Sequence, residues 1–190
     1  MPRRTRLLLP ALLGATLLVG GCSSAPSDDG APGTPAGAAG TGRTPAASSA
    51  PEQPPAAPPA RPGAAGERAF ARHVMDLWGF ALRTDDVRPL VSLGTAARPC
   101  GGCAALRSEL ARRRAQKWAV DFRGVDVRRL RVSGPPRAAV ARAVVDIPAS
   151  DSFHDDGTFR NTSPAHAGAS FVVRMRFTGR AYRLVSFSVS

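Results

Sequence analysis

The sequence predicts an α+β domain in which three N-terminal helices pack on a curved, four-stranded antiparallel sheet. Three observations lead there. Apolar residues recur at helical spacing up to about residue 116 and at alternate positions from Trp118 onward. The links between the alternating segments, one excepted, are too short for the crossovers that parallel strands require. More than half of the 19 glycines and 18 prolines precede residue 67, which places the start of the folded region at Glu67 and its end at Ser190.

The first helix is expected over about 67–83. Phe70, Val74, Leu77, Trp78, Ala81 and Leu82 form one apolar stripe along it. Thr84-Asp85-Asp86 breaks that helix, and Asp85 or Asp86 can cap a short second one carrying Val87, Leu90, Val91 and Leu93. A loop from Gly94 to Gly102 leads to a third helix, about 102–116, with Cys103, Leu106 and Leu110.

Val120 and Phe122 begin the first strand on one parity, and Val125 and Val127 continue it on the other, which predicts a bulge at Gly124. Ala141, Ala143, Val145 and Ile147 mark the second strand. Phe171, Val173, Met175 and Phe177 mark the third, and Val185, Phe187 and Val189 the fourth. The stretch 148–167 between the second and third strands is expected to be a loop. Helices followed by a meander read as segregated α+β.

The N-terminus carries an address. Residues 1–21 hold three arginines, Arg3, Arg4 and Arg6, and then an apolar run from Leu7 to Val19. That run is too short to span a bilayer core of about 30 Å as a helix and matches a signal peptide. The Arg3-Arg4 pair suggests twin-arginine export. Arg6, however, occupies a position where that motif wants an apolar residue, which favours the general secretory route. Val19-Gly20-Gly21-Cys22 resembles the lipobox of bacterial lipoproteins, in which the cysteine thiol takes the lipid. Two acyl chains on Cys22, palmitate among them, would attach the mature chain stably to the extracytoplasmic face of the cell membrane. Residues 22–66 are Ala, Pro, Gly, Ser and Thr with ten prolines after Cys22, a composition expected to act as a disordered linker that holds the domain clear of the membrane.

The chain has 26 basic residues against 14 acidic ones, a net charge of +12, and only one of the basic residues is a lysine, Lys117. Arginine and alanine in such excess look like a coding bias, so a solvated basic surface is the plain reading. If the charge has a partner, anionic lipid head groups or anionic cell-wall polymers are nearest. No nucleic acid is expected, because there is no recognition motif and no aromatic platform.

A family resemblance rests on Phe70-x-x-x-Val74-x-x-x-Trp78-x-x-x-Leu82-x-Thr84-x-Asp86, then Pro89-Leu90 and Leu93, then Cys100-Gly101-Gly102-Cys103. Over residues 67–190 this pattern resembles a family of actinobacterial lipoproteins of unknown function, whose members are similar to the cone-shaped nuclear-transport-factor-2-like fold. The resemblance implies that fold and the envelope address, and it carries over no catalytic residue. The strand pair that often sits between the helices of the wider fold is missing, which implies an incomplete cone.

With Cys22 assigned to lipid, Cys100 and Cys103 form a pair. A structural disulfide is the first reading outside the membrane. The second is thiol redox, with Cys100 near a helix N-terminus. The third is zinc, which would require His73, His154 and His166 to converge. His73 and Asp76 lie three apart on the first helix. Cone-shaped isomerases and cyclases use an Asp/His pair for proton abstraction, whereas a surface ion pair is the plainer reading. Asp121 and Asp126 flank the expected bulge and are weak pocket candidates beside His73 and Asp76. Asp151, Asp155 and Asp156 make a weak calcium set, and Asp156-Gly157 more plainly makes a turn. Trp78 and Trp118 read as core. No cofactor and no metal are implied. The expected function is a non-catalytic module binding a small molecule, a wall polymer or a protein partner. An isomerase- or cyclase-like enzyme and a thiol redox protein are the alternatives.

Overall fold

The computed structural model describes residues 52–95, 97 and 99–190. Cys22, the signal segment and most of the tether lie outside the described residues. Helix α1 runs Ala64–Thr84, α2 Arg88–Ser92 and α3 Cys103–Ala115. They are followed by seven strands: β1 Trp118–Asp121, β2 Asp126–Ser133, β3 Ala139–Ile147, β4 Ser150–His154, β5 Phe159–Ser163, β6 His166–Phe177 and β7 Tyr182–Val189. The strands form two antiparallel sheets, β1-β4-β5 and β2-β3-β6-β7. The architecture is α+β with three helices before the sheets, as the periodicity predicts, but the single four-stranded sheet is corrected to two sheets.

The two sheets are related strand by strand. β1 leads into β2, β3 into β4 and β5 into β6, and each of these three runs breaks at the same level. Asp121 pairs with Asp151 below the break and Asp126 with Asp146 above it. Ser150 pairs with Ser163 on one side, and Ile147 with His166 on the other. Pro148 and Pro164 fall in the break, where a residue without an N–H interrupts a ladder at least cost. Gly124 falls there too, with φ +95°. The parity change expected as a bulge at Gly124 is therefore a passage between sheets, and the irregularity in β2 itself lies between Val127 and Arg129.

The stretch 148–167 is not a loop. It contains the β4–β5 hairpin, turned at Asp156-Gly157, where the Gly157 amide donates to the His154 carbonyl at 2.8 Å. All five residues of β5 are exposed, so no apolar alternation announces it. Arg160 of this strand lies 4.3 Å from the centre of the Trp118 ring, which Arg113 and Arg112 also approach at 5.1 and 5.8 Å. These cation–π contacts tie the hairpin to the end of α3.

Helix α1 begins three residues before the expected boundary and ends at Asp85, whose left-handed conformation (φ 57°) stops it. The Asp86 carboxylate accepts the Arg88 amide at 2.9 Å at the start of α2. Along α1, Phe70, Val74, Leu77 and Ala81 face the core, and the helix lies against β2, β3 and β6. The four-stranded sheet presents Ala139, Ala141, Ala143 and Val145 from β3 and Ala169, Phe171, Val173 and Met175 from β6 to that core. Small side chains on β3 leave room for the aromatic ones of α1 and β6, which is how a close-packed interior is filled. The segment 52–63, assigned by composition to the linker, makes contacts with this domain. Glu52 accepts from the Arg83 guanidinium at 2.6 Å, and the Gly63 carbonyl accepts from the Tyr182 hydroxyl at 3.4 Å.

Candidate functional site

Between the helices and the sheet the interior is filled. Phe171 has no exposed surface and sits among aromatic rings. Trp78 meets Phe122 and Phe171 edge-on at 5.2 and 5.6 Å, and Phe187 stacks on Phe171 at 6.1 Å. Beside this packing, Trp78 and Leu82 of α1, Ala105 and Leu106 of α3, and Phe187 and Val189 of β7 line a groove of about 500 Å³; a larger depression of about 780 Å³, lined by Pro62, Pro135, Pro136 and Phe177, lies apart from it. That volume is within the usual range for small-molecule sites, and an apolar lining with a few polar groups is their usual chemistry.

The polar side chains of the groove are Glu109, Arg113 and Ser188. The Arg113 guanidinium is buried. It donates to the Glu109 carboxylate at 3.2 Å and to the Leu82 carbonyl at 3.4 Å, while resting on the Trp118 ring. Burial pushes the Glu109 carboxyl up, but hydrogen bonds from Arg112 and Arg113 outweigh it and hold the group below its ordinary range. A charge fixed in this way is already satisfied, so the groove offers an oriented ion pair at an apolar wall and no free acid or base.

One wall is built by the CxxC segment. Cys100 and Cys103 are joined as a disulfide, with Cα atoms 5.4 Å apart. Gly101 forms a parallel bridge to Ser186, donating to the Val185 carbonyl and accepting from the Phe187 amide, both at 2.9 Å. The segment thus covers part of the edge of β7; it requires glycine at 102 and leaves little room at 101. A Cβ on Gly101 would come within 3.0 Å of Ser186 Cβ. At Gly102, where φ is +89°, it would overlap the Phe187 carbonyl. The disulfide joins the first residue of α3 to its preceding loop, the pin that the position of the pair suggests, and Gly101 adds a link from that loop to the last strand.

The expected acid–base residues are not brought together in the groove. His73 is buried and lines a separate cavity of about 150 Å³ with Phe70, Leu93 and Tyr182, roofed by Ala57–Ala60. Burial lowers its pKa, against an opposing pull from the Asp76 charge. Asp76 is exposed and lines a different depression with Arg72 and Asp126. Asp121 is exposed and pairs with Arg123 at 3.5 Å. His154 ends β4 and His166 opens β6, and among the described residues no three His, Cys, Asp or Glu side chains could hold a metal. In the hairpin, the Asp151 carboxylate takes the Thr162 hydroxyl and the Asp156 carboxylate takes Thr158, both at 2.6 Å.

Sequence reasoning missed Tyr182, which lines the small cavity, and Glu67, whose charge acts on it. Glu67 is buried, and its Oε1 has no hydrogen-bond partner. Burial and the Glu67 charge raise the Tyr182 pKa, opposed by the hydrogen bond to Gly63. A glutamate opening the apolar stripe of α1 was the available signal.

No family model matches the sequence, and no curated protein matches it. The solved structures to which the chain is similar include Aln2 from a Streptomyces species, at 7% identity and TM-score 0.44, covering 68% of this chain and 93% of that one. A protein from Catenulispora acidiphila has 14% identity and TM-score 0.42, covering 66% and 91%. An NTF2-like protein with a cystatin-like fold from Novosphingobium aromaticivorans has 18% identity and TM-score 0.40, covering 64% and 79%.

Proposed function

We propose that the domain is a non-catalytic binding module whose groove between α1, α3 and β7 takes an apolar small molecule or side chain. The observation that carries this is the groove itself: a wall of Trp78, Leu106 and Phe187 beside an ion pair that is already hydrogen-bonded. The alternative, proton abstraction by an isomerase- or cyclase-like site, needs an acid and a base facing one substrate. His73, Asp76 and Asp121 open onto three different places. Thiol redox is disfavoured by the burial of both cysteines and by glycines that lock the segment to β7.

The test is a fluorescent apolar probe, 1-anilinonaphthalene-8-sulfonate, titrated against the full chain. Ala105→Trp fills the groove from an exposed position of α3 and should leave the fold intact. It is expected to weaken probe binding at least about tenfold, the loss of roughly one good apolar contact surface. Unchanged binding in this variant would remove the groove from consideration.

The envelope address belongs to the same proposal. The chain is a lipoprotein of the family it resembles, held at the outer face of the cell membrane by acyl chains on Cys22. Its support is the run of small residues before Cys22 and the proline-rich linker after it. Cells fed an alkyne-bearing palmitate analogue should label the native chain and not Cys22→Ser; equal labelling of both would end this reading.

A further inference from the structure

The outer face of the four-stranded sheet, turned away from the helices, is an array of arginines. Arg142 alternates with the buried Ala141 and Ala143, so it points outward, and Arg131 lies directly opposite it. Arg129 lies opposite Val144 on the same face. Arg174 and Arg176 alternate with the buried Val173 and Met175, and Arg183 lies directly opposite Arg176. Six guanidinium groups therefore spread over β2, β3, β6 and β7. None of them makes an ion pair among the described residues. Arg131–Arg142 and Arg176–Arg183 are like-charge pairs placed directly across strands, an arrangement that destabilises a sheet. The acidic residues of these strands, Asp126 and Asp146, sit together at one end, and Asp146 is taken by Arg128 at 2.5 Å and by the Gly168 amide at 2.9 Å. A coding bias accounts for many arginines. It does not account for six of them meeting on one sheet face with no acid between them.

We infer that this face docks on an anionic phospholipid bilayer. Arginine pairs bidentately with phosphate, and a basic surface is drawn to anionic head groups. The array is two-dimensional, and Val140, Val144 and Val172 lie on the same face between the arginines, Val144 being 40% exposed. A single polyanionic strand would be met by one line of charges. A field of charges interspersed with half-buried and exposed valines matches the head-group and acyl boundary of a membrane. The face is separate from the groove, and the inference does not depend on it.

The test uses the mature chain, residues 22–190, carrying Cys22→Ser, so that neither the apolar signal segment nor an acyl chain contributes. Its partition is measured onto vesicles of phosphatidylglycerol mixed with phosphatidylcholine, and onto phosphatidylcholine alone. The chain is expected to prefer the anionic vesicles, more weakly as salt is raised. Arg131→Gln/Arg142→Gln/Arg174→Gln should weaken that partition by about 100-fold, from about fivefold per charge. The matched triple Arg72→Gln/Arg107→Gln/Arg114→Gln on the helices should retain most of it. Removing a cross-strand like-charge pair should not lower the melting temperature. Should the sheet triple nonetheless unfold, Arg176→Gln/Arg183→Gln replaces it, with about 25-fold expected. Equal partition onto both vesicles, equal losses in the two triples, or tighter binding to soluble polyphosphate than to the vesicle would each overturn the inference.

Discussion

Phe171→Ala is expected to destabilise the domain by about 3–5 kcal/mol, the range for deleting a fully buried phenyl ring. Phe171 lies at the middle of β6 with no exposed surface, contacting Trp78 edge-on and Phe187 face-on. Two of the ring's neighbours come from other elements, so collapse into the space would have to move α1 or β7. Both are fixed elsewhere, α1 along the core stripe and β7 by its pairing to β6 and to Gly101. The cavity should therefore persist, which puts the cost at the upper part of the range. A domain of this size is stable by about 5–15 kcal/mol, so the melting temperature should fall by roughly 10–20 °C. Thermal unfolding followed by circular dichroism reads this directly. A fall of only a few degrees would mean that the aromatic interior is not packed as described.

Gly102→Ala should cost about 2–4 kcal/mol, a large effect for one methyl at the edge of the fold. Two causes act together. The left-handed backbone at φ +89° strains any residue with a Cβ, and the Cβ would overlap the Phe187 carbonyl oxygen. Relief requires moving Phe187 or the segment that bridges β7, which loosens the hydrogen bonds of Gly101 to Val185 and Phe187. Gly124→Ala separates the two causes. Its φ is +95°, but nothing lies within 4 Å of the added Cβ, so it should cost only about 1 kcal/mol. Urea unfolding of the two variants side by side gives the comparison. Equal costs would show that the close approach at β7 is absent and that Gly102 answers to backbone conformation alone.

The interior and the element types of this domain were legible because they depend on local period. Phe70 to Leu82 can bury one face only as a helix, and Phe171 to Phe177 only as a strand. The Asp156-Gly157 turn was legible for the same local reason. The β4–β5 hairpin was not, because Phe159-Arg-Asn-Thr-Ser163 buries nothing and is held by a ladder to β4 and by Arg160 over Trp118. The division into two sheets was not legible, because it needs three breaks, near Gly124, Pro148 and Pro164, to fall into line. Alignment of residues forty apart is a matter of strand register.

The functional features divide along the same line. The sequence alone marks Cys22 as an expected lipid site and pairs Cys100 with Cys103, since both follow from neighbouring residues. It could list His73, Asp76 and Asp121, but whether they share a pocket depends on which way α1 is rotated against the sheet, and the structure turns them to different surfaces. The groove at Trp78 and Phe187, and the array that sets Arg131 against Arg142, exist only once distant segments are paired. Local chemistry is written residue by residue along the chain. A site is a meeting of residues far apart in it, and packing of the core decides which of them meet.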